Sequence, residues 1–392
     1  MGLRKVVTPG RRSRTATLDK RQDLASTNVG NGRVRVISLG PFPPPIHGLS
    51  VTNQVVTTSL ESHADVVVVN TAVPNRVGIP HHLARIARHI GGLRTLIARR
   101  GRSRYRSLYL TCPGGLSLWY LLPISLAARV LGYRIVVHHN SYRYITEPAL
   151  VMRLFVRALG PRSRHVLLSP PMREQFEEIY KPTQRSLICS NVAFIDDLPV
   201  EAVRHIQPHQ RFRIGYLGTI SEDKGLLVQR EVLDHLRKAG IEAELWLAGR
   251  PLTERDRGLL TEVLAGCLDV KHFGELVGQE KARFLAALDA FVFPTRYRLE
   301  AEPLVIHEAM RAGLPVAVFD RGCIRDQVRT AGLVVSPEAD FPAAVIPFLL
   351  ELAKDAHFAR RARDAARARF DEAKAAGREQ SRRLLQELLL PT

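Results

Sequence analysis

Short apolar runs separated by stretches long enough for a helix occur in two successive series, and this alternation constrains the fold more than anything else in the chain. The first series is "RVRVISL", "ADVVVVN", "RSLYLTC", "RIVVHH", "HVLLS" and "SLICS". A polar interval follows, "VEAVRHIQPHQRFR" at 200–213, and the pattern restarts with "RIGYL", "AELWLAG", "VKHFG", "AFVFP", "PVAVF" and "GLVVS". Runs of this kind read as buried strands, and helices between successive strands call for right-handed crossovers in a parallel sheet. The expected fold class is α/β, with two Rossmann-like domains facing across a cleft. A chain of 392 residues, 45% hydrophobic, is ample for both.

The expected organisation is a basic, poorly ordered tail at 1–32, a first domain at 33–199, a linker at 200–213 and a second domain at 214–370. A C-terminal helix at 371–392 completes it. The whole segment from Asp355 is strongly charged and helical in pattern, and reads as a solvated cover on the second domain. The tail lacks the apolar core of a secretory signal. The longest apolar stretch, "LSLWYLLPISLAARVLG" from Leu116, is short for a membrane span and contains Pro123. It reads as a buried helix beside a sheet, which suggests a soluble, cytoplasmic protein. Cys112, Cys189, Cys267 and Cys323 are widely spaced, without a metal-ligand pattern, and read as buried thiols in a reducing compartment.

Charge narrows the partners. Fifty-seven basic against 38 acidic residues give +19, an excess that attracts polyanions such as nucleic acid, anionic lipid or phosphorylated substrates. No aromatic-and-basic nucleic-acid module is recognisable. Part of the excess lies in "HHLARIARHIGGLRTLIARRGRSR" at 81–104, where Leu83, Ile86, Ile90, Leu93 and Ile97 recur at helical spacing among arginines. Two readings stand: a surface helix with its stripe on the core, or a helix lying in an anionic membrane interface.

In open α/β sheets, ligands bind beyond the carboxyl ends of the strands, where helix N-termini point. Four loops there deserve weight. "GPFPPPIHGLS" follows the first strand; Gly48 allows close backbone approach, and His47 stands beside it. "VVHHNSYRYI" ends a strand on His138 and His139, as structural groups or as cleft residues. In "GYLGTISEDKGLL", Lys224 stands where a helix opens, against the helix dipole, which makes sense if an anion binds beside it. "RYRLEAEPLVIHEAMRAGLP" at 296–315 sets Glu300 in a loop over the cleft and Glu308 inside the following helix, with Glu302 between them. Acids near a helix start are common for electrostatic reasons alone, so spacing leaves their role undecided.

These motifs carry a resemblance. From 215 to 328, "LGTISEDKG", "AELWLAGRP", "VKHFGELV", "LDAFVFPTRY", "EAEPLVIHEAMRAGLPVAVFD" and "GCIRDQV" resemble, in order and spacing, the nucleotide-binding half of the retaining nucleotide-sugar glycosyltransferases of family four. That family has the GT-B architecture, and its Glu-x7-Glu pattern falls on Glu300 and Glu308. "PPPIHGLS" resembles its glycine loop, and "VVHHNSYRYI" the strand end bearing its active-site histidine. The resemblance implies that Glu308 bonds the donor's ribose and that Glu300 contacts the transferred sugar near its anomeric carbon. Lys224 would neutralise the diphosphate, with the amides of Leu304 and Val305 adding hydrogen bonds. Gly48 would admit the donor closely, Thr219 would border its phosphates, and His139 would line the sugar or acceptor side. Two positions depart from the family: Thr219 stands where Arg is common, and Pro303 where Gly is usual.

The resemblance implies a retaining, metal-independent transferase. Its substrate would be a UDP- or GDP-sugar, with no cofactor. The basic surface suggests a glycan or lipid-linked acceptor of the cell envelope at the cytoplasmic membrane face. A glycosidase would also use two carboxylates, but leaves Lys224 without a use. A nucleotide-sugar epimerase of similar fold lacks the support of the Glu-x7-Glu spacing. The alternative from another class is a GT-B scaffold with impaired turnover that binds a polyanion, which the departures at Thr219 and Pro303 favour.

Overall fold

The computed structural model describes residues 34–44, 48–73, 78–101, 106–195, 211–265 and 267–390. The expected tail, His47 and most of the expected linker lie outside them. The first sheet is built from β1 (Arg35–Gly40), β2 (Asp65–Asn70), β3 (Arg106–Cys112), β4 (Arg134–His139), β5 (Arg164–Leu167) and β6 (Leu187–Ile188). Its order is β2-β1-β3-β4-β5-β6. The second holds β7 (Phe212–Leu217), β8 (Ala243–Ala248), β9 (Val270–His272), β10 (Ala290–Phe293), β11 (Val316–Phe319) and β12 (Gly332–Val335), in the order β12-β11-β10-β7-β8-β9. Every pairing is parallel. All twelve strands fall on the apolar runs of the sequence.

The helices cover both faces of each sheet. In the first half they are α1 (Gly48–Glu61), α2 (Gly78–Arg99), α3 (Ser117–Val130), α4 (Arg143–Thr146), α5 (Leu150–Leu159) and α6 (Pro170–Tyr180). In the second they are α7 (Leu226–Lys238), α8 (Glu254–Leu264), α9 (Gly278–Ala286), α10 (Leu304–Arg311), α11 (Ile324–Val328), α12 (Phe341–Lys354) and α13 (Ala356–Leu389). Alternation along β1 shows how one strand serves two cores: Ile37 and Leu39 join one apolar cluster, Val36 another. The strand orders fix where ligands belong. The chain leaves β1 for β2 and then returns to β3 on its other side; it likewise passes through β8 and β9 before β10 pairs with β7. These reversals open crevices at the carboxyl ends of β1/β3 and of β7/β10.

Three expectations about helices change. In α2, Leu83, Ile86, Ile90 and Ile97 face outward, Leu83 with 62% of its surface exposed. The side packed on the sheet is instead Leu96, His89 and Gly92, where a Cβ would come within 2.9 Å of Leu39. The stripe therefore does not lie on the core. In α3, Leu118, Leu121, Ile124 and Ala128 are buried, whereas Leu116 just before the helix, Trp119, Leu126 and Val130 are exposed, so this helix is covered on one side only. Finally, α13 is one continuous helix and covers both domains rather than the second alone. Ala366, Phe370 and Ala373 join the second core, while Leu384, Leu385, Leu388 and Leu389 pack with Val36, Val56, Tyr109 and Val136 of the first.

Beside α13 runs the 3-10 turn Asn191–Phe194, which follows the first sheet. Gly377 lets the two approach, since a Cβ there would lie 2.9 Å from Val192 and 3.1 Å from the Ala193 amide nitrogen. The four cysteines are buried and unpaired. Among the described residues, no helix is long and apolar enough to cross a membrane.

Candidate active site

The site starts from the loops that follow β7 and β10. After β7 the chain turns at Gly218 and reaches Ser221, whose hydroxyl accepts the Lys224 amide (3.3 Å) and caps a 3-10 turn. Gly225, with φ 86°, then starts α7; a Cβ there would lie 2.5 Å from the Pro294 carbonyl oxygen, so only glycine lets the two loops meet. The Arg296 amide donates to the Asp223 carbonyl (2.8 Å) and ties them further. This backbone frame holds Lys224 from one loop against Glu300 from the other in a part-buried ion pair. Thr295 donates its hydroxyl to the same carboxylate (3.3 Å). The Lys224 ammonium also lies 4.7 Å from the centre of the Tyr297 ring and 5.6 Å from that of Phe293. Burial raises the Tyr297 phenol above its ordinary pKa, and the nearby carboxylates of Glu300 and Asp223 add to this. The ring is therefore neutral at pH 7.

Four residues beyond Glu300, Leu304 opens α10. Pro303 is the N-cap, just outside the first helical position expected for it, and has no side-chain acceptor to offer. The first amides, those of Leu304 and Val305, are uncapped donors at the positive end of the helix. Glu308, on the same helix, pairs with Lys281 of α9. Each carboxylate of the Glu-x7-Glu pattern thus holds a lysine, and the two lysines come from different elements. Lys281 was missed from the sequence. Its signal was the one that singled out Lys224, a cation near a helix start.

Glu302 plays a different part. Its carboxylate, 7% exposed as a residue, accepts the Ser190 hydroxyl (2.6 Å), the Asn191 amide (2.6 Å) and His307 Nε2 (3.1 Å). It anchors α10 to the turn that leads out of the first domain.

Across the cleft, Gly48 begins α1, and a Cβ on it would lie 3.6 Å from Leu304 Cδ1. The starts of α1 and α10 therefore face each other closely. Thr219 is half-buried, its carbonyl accepting the Tyr216 hydroxyl (2.7 Å). Arg298 beside the site pairs with Glu147 of the first domain. A cavity of about 730 Å³ lies further along the cleft, between Tyr142, Ser169 and Gln175 on one side and Gly322, Arg325 and Asp326 on the other.

His139 does not join this group, which corrects the cleft position expected for it. It is fully buried, with Nδ1 on the Tyr144 hydroxyl (2.8 Å) and Nε2 on His165 Nδ1 (2.9 Å), and it packs on Phe176. Burial, with His165 and His138 nearby, holds its pKa well below the ordinary value. His138 points to the opposite face, bonded to Tyr109 (2.8 Å). Because β4 is an interior strand covered on both faces, adjacent side chains at its end both enter cores. Among the described residues, no three His, Cys, Asp or Glu side chains group closely enough to hold a metal ion.

Two Rossmann-like domains of parallel strands, each with a switch point opening on the cleft, form the GT-B architecture. Residues 211–355 match the family model described as glycosyl transferases group 1. Solved structures agree on the fold. Sucrose-phosphate synthase from Thermosynechococcus elongatus superposes with a TM-score of 0.65 at 17% identity, covering 90% of this chain and 99% of that one. Anabaena HepE, solved in complex with UDP and glucose, gives 0.63 at 16% identity over 91% and 100% of the two chains. WaaG, a glycosyltransferase involved in lipopolysaccharide biosynthesis, gives 0.60 at 14% identity over 90% and 99%. A comparison with curated protein sequences finds no match.

Proposed function

We propose that this protein is a retaining, metal-independent glycosyltransferase. It moves a sugar from a UDP- or GDP-sugar to a lipid-linked or cell-envelope glycan acceptor at the cytoplasmic face of the membrane. The observation that carries this reading is the Lys224–Glu300 pair between the loops after β7 and β10. A donor entering there brings its diphosphate to Lys224 and to the uncapped amides of Leu304 and Val305, and Glu300 turns to the hydroxyls of the sugar. Glu308, held by Lys281, takes the ribose.

As the sugar–oxygen bond breaks, negative charge grows on the leaving diphosphate and positive charge on the anomeric carbon. A fixed ammonium and fixed amides stabilise the first without reorganising, which lowers the barrier selectively in the transition state. Glu300 positions the sugar while the acceptor attacks on the face the diphosphate leaves. Thr219 supplies a neutral hydroxyl where the resembling family commonly has a cation. Lys224 therefore carries a larger share of the charge here.

HepE is solved in complex with UDP, which supports a nucleotide-sugar donor for this reading. The membrane-face acceptor is supported by the outward apolar residues of α2 and α3 and by the arginines among them. No acidic residue occurs between Asp65 and Glu147. The second reading, a GT-B protein that binds a polyanion without turnover, draws on Thr219 and Pro303.

Thermal shifts with UDP, GDP, ADP and their sugars, on wild type and Glu308→Ala, test the donor site, because a bound ligand stabilises the folded state. Stabilisation by one base, lost in the variant, is expected, together with slow acceptor-free hydrolysis of the matching nucleotide sugar. Stabilisation without hydrolysis would favour the second reading. No response to any nucleotide would refute the donor site.

A further inference from the structure

The other switch point, at β1/β3, holds a cavity of about 290 Å³. Its floor is the strand ends, at Gly40, Thr71 and Thr111; its walls are α2, through His81, Arg85 and His89, and the start of α3 at Ser117. We infer that this cavity binds the phosphate or diphosphate group of an acceptor whose organic part is an apolar chain. The inference rests on the glycosyltransferase reading, and deepens it by assigning the acceptor's anionic group to named residues.

The first argument is an unbalanced charge. Arg85 is turned inward: its guanidinium donates to Ser117 Oγ (2.8 Å) and stacks 5.3 Å from the centre of the Tyr120 ring. Among the described residues it makes no ion pair, and burial lowers its pKa. A part-buried guanidinium normally finds a carboxylate, because removing it from water uncompensated is costly. Here the surrounding sequence offers none. The planar fork of arginine suits two oxygens of a phosphate.

The histidines add polar groups with capacity to spare. His89, buried, donates Nδ1–H to the Arg85 carbonyl (2.7 Å), so its Nε2 is an acceptor that meets a phosphate only through a P–OH proton or a bridging water. His81 Nδ1 is buried without a partner. Unsatisfied polar atoms in a cavity wall are costly unless a ligand or water meets them.

Position relates this cavity to the donor. Leu49 lines it and follows Gly48, the residue that meets Leu304 at the start of α10. An anion on Arg85 therefore sits one helix start away from the donor's diphosphate, on the acceptor side. The apolar chain follows from what surrounds the cavity. Leu49, Val73 and Leu121 line it, and the helices that wall it expose Ile79, Leu83 and Ile86 from α2, and Trp119 from α3. That surface suits a hydrocarbon chain and is poorly suited to a free sugar phosphate.

Calorimetric titration of the full chain with farnesyl diphosphate, inorganic pyrophosphate and farnesol tests the inference, run in parallel on wild type, Arg85→Gln, Arg85→Lys and Lys224→Gln. Farnesyl diphosphate is expected to bind at least tenfold more tightly than pyrophosphate, and farnesol not to bind measurably. Arg85→Gln should weaken farnesyl diphosphate at least tenfold, Arg85→Lys should fall between, and Lys224→Gln should leave it unchanged. The intermediate Arg85→Lys result supports the inference even where Arg85→Gln loses stability. Equal binding of pyrophosphate would overturn the apolar chain, and equal binding of farnesol the anion site. Binding lost in Lys224→Gln but kept in Arg85→Gln would mean that the probe occupies the donor cradle, and would overturn the inference. Nucleotide binding is read separately. A failed donor site with an intact Arg85 response would sink the enzyme reading and leave the cavity standing.

Discussion

The three carboxylates of 296–315 should separate cleanly under mutation, with Glu302 the one whose loss undermines the fold. Three donors converge on it: the Ser190 hydroxyl and Asn191 amide at 2.6 Å each, and His307 Nε2 at 3.1 Å. Hydrogen bonds to an ionised acceptor are worth about 1.5–3 kcal/mol each, though not additively. Glu302→Ala removes all three and strands the buried Asn191 N–H. A loss of about 3–5 kcal/mol is expected, the range for breaking a buried charged network. At about 2–4 °C per kcal/mol for units of 150–250 residues, the melting temperature should fall by roughly 6–20 °C in scanning calorimetry. Glu302→Gln keeps the shape and one acceptor oxygen and should lie between. Glu300→Ala and Glu308→Ala break part-exposed pairs, worth about 1 kcal/mol or less, and should shift melting by less than about 4 °C while removing nucleotide binding or turnover. A Glu302→Ala protein melting within about 2 °C of wild type would refute the anchoring role.

Acid should destabilise the first domain through its buried histidines. Burial depresses His138 to about 4 and His165 to about 3, so their stabilisation is complete above the unfolded value of about 6.5 and is lost as pH falls towards the folded values. At pH 5 each should cost about 2 kcal/mol, and urea unfolding that is unchanged between pH 7 and pH 5 would contradict this. At the membrane, replacing Arg88, Arg94 and Arg99 by glutamine should abolish binding to phosphatidylglycerol vesicles; unchanged sedimentation with vesicles would remove docking by α2. Arg85 is left out of that set because its guanidinium lies on Ser117.

Some of this was legible in the sequence for a physical reason. A strand covered on both faces must be apolar throughout, so the twelve runs announced the twelve strands, and the polar interval in the sequence at 200–213 announced two series and hence two sheets. Lys224 and Glu300 stood out in the sequence as charges in loops beyond strand ends, whereas Glu308, inside α10, was singled out only by the spacing that the resemblance gives it. Periodicity was less informative for α2, since a stripe of Leu83, Ile86, Ile90 and Ile97 identifies a helix without saying what meets the stripe. His139 misled because its surroundings come from Tyr144, His165 and Phe176, each on a different element. The reach of α13 into the first domain had a trace in "LLQELLL". Its apolar end needed a second core that sequence alone could not locate.

The segment from Glu300 to Glu308 also explains why one short loop carries so many constraints. Catalysis by charge placement, as proposed for Lys224 and Glu300, requires groups already in position, because any free energy used to orient them is lost from the barrier lowering. The backbone on either side of Glu300 is fixed accordingly. The Ala301 carbonyl accepts the Cys323 amide (2.8 Å), and the Pro303 carbonyl accepts Gln327 Nε2–H (2.8 Å). Gly322, at φ 59°, passes so near that a Cβ would lie 2.6 Å from the Glu300 carbonyl oxygen and 2.7 Å from that of Ala301. Glu302 adds the link to the first domain through Ser190 and Asn191. A proline in place of glycine at 303 fits this arrangement: it gives up one backbone donor but fixes φ just before α10, in a loop already held by its carbonyls. The departure at 303 therefore has a structural use, and it weighs less against turnover than the missing cation at Thr219.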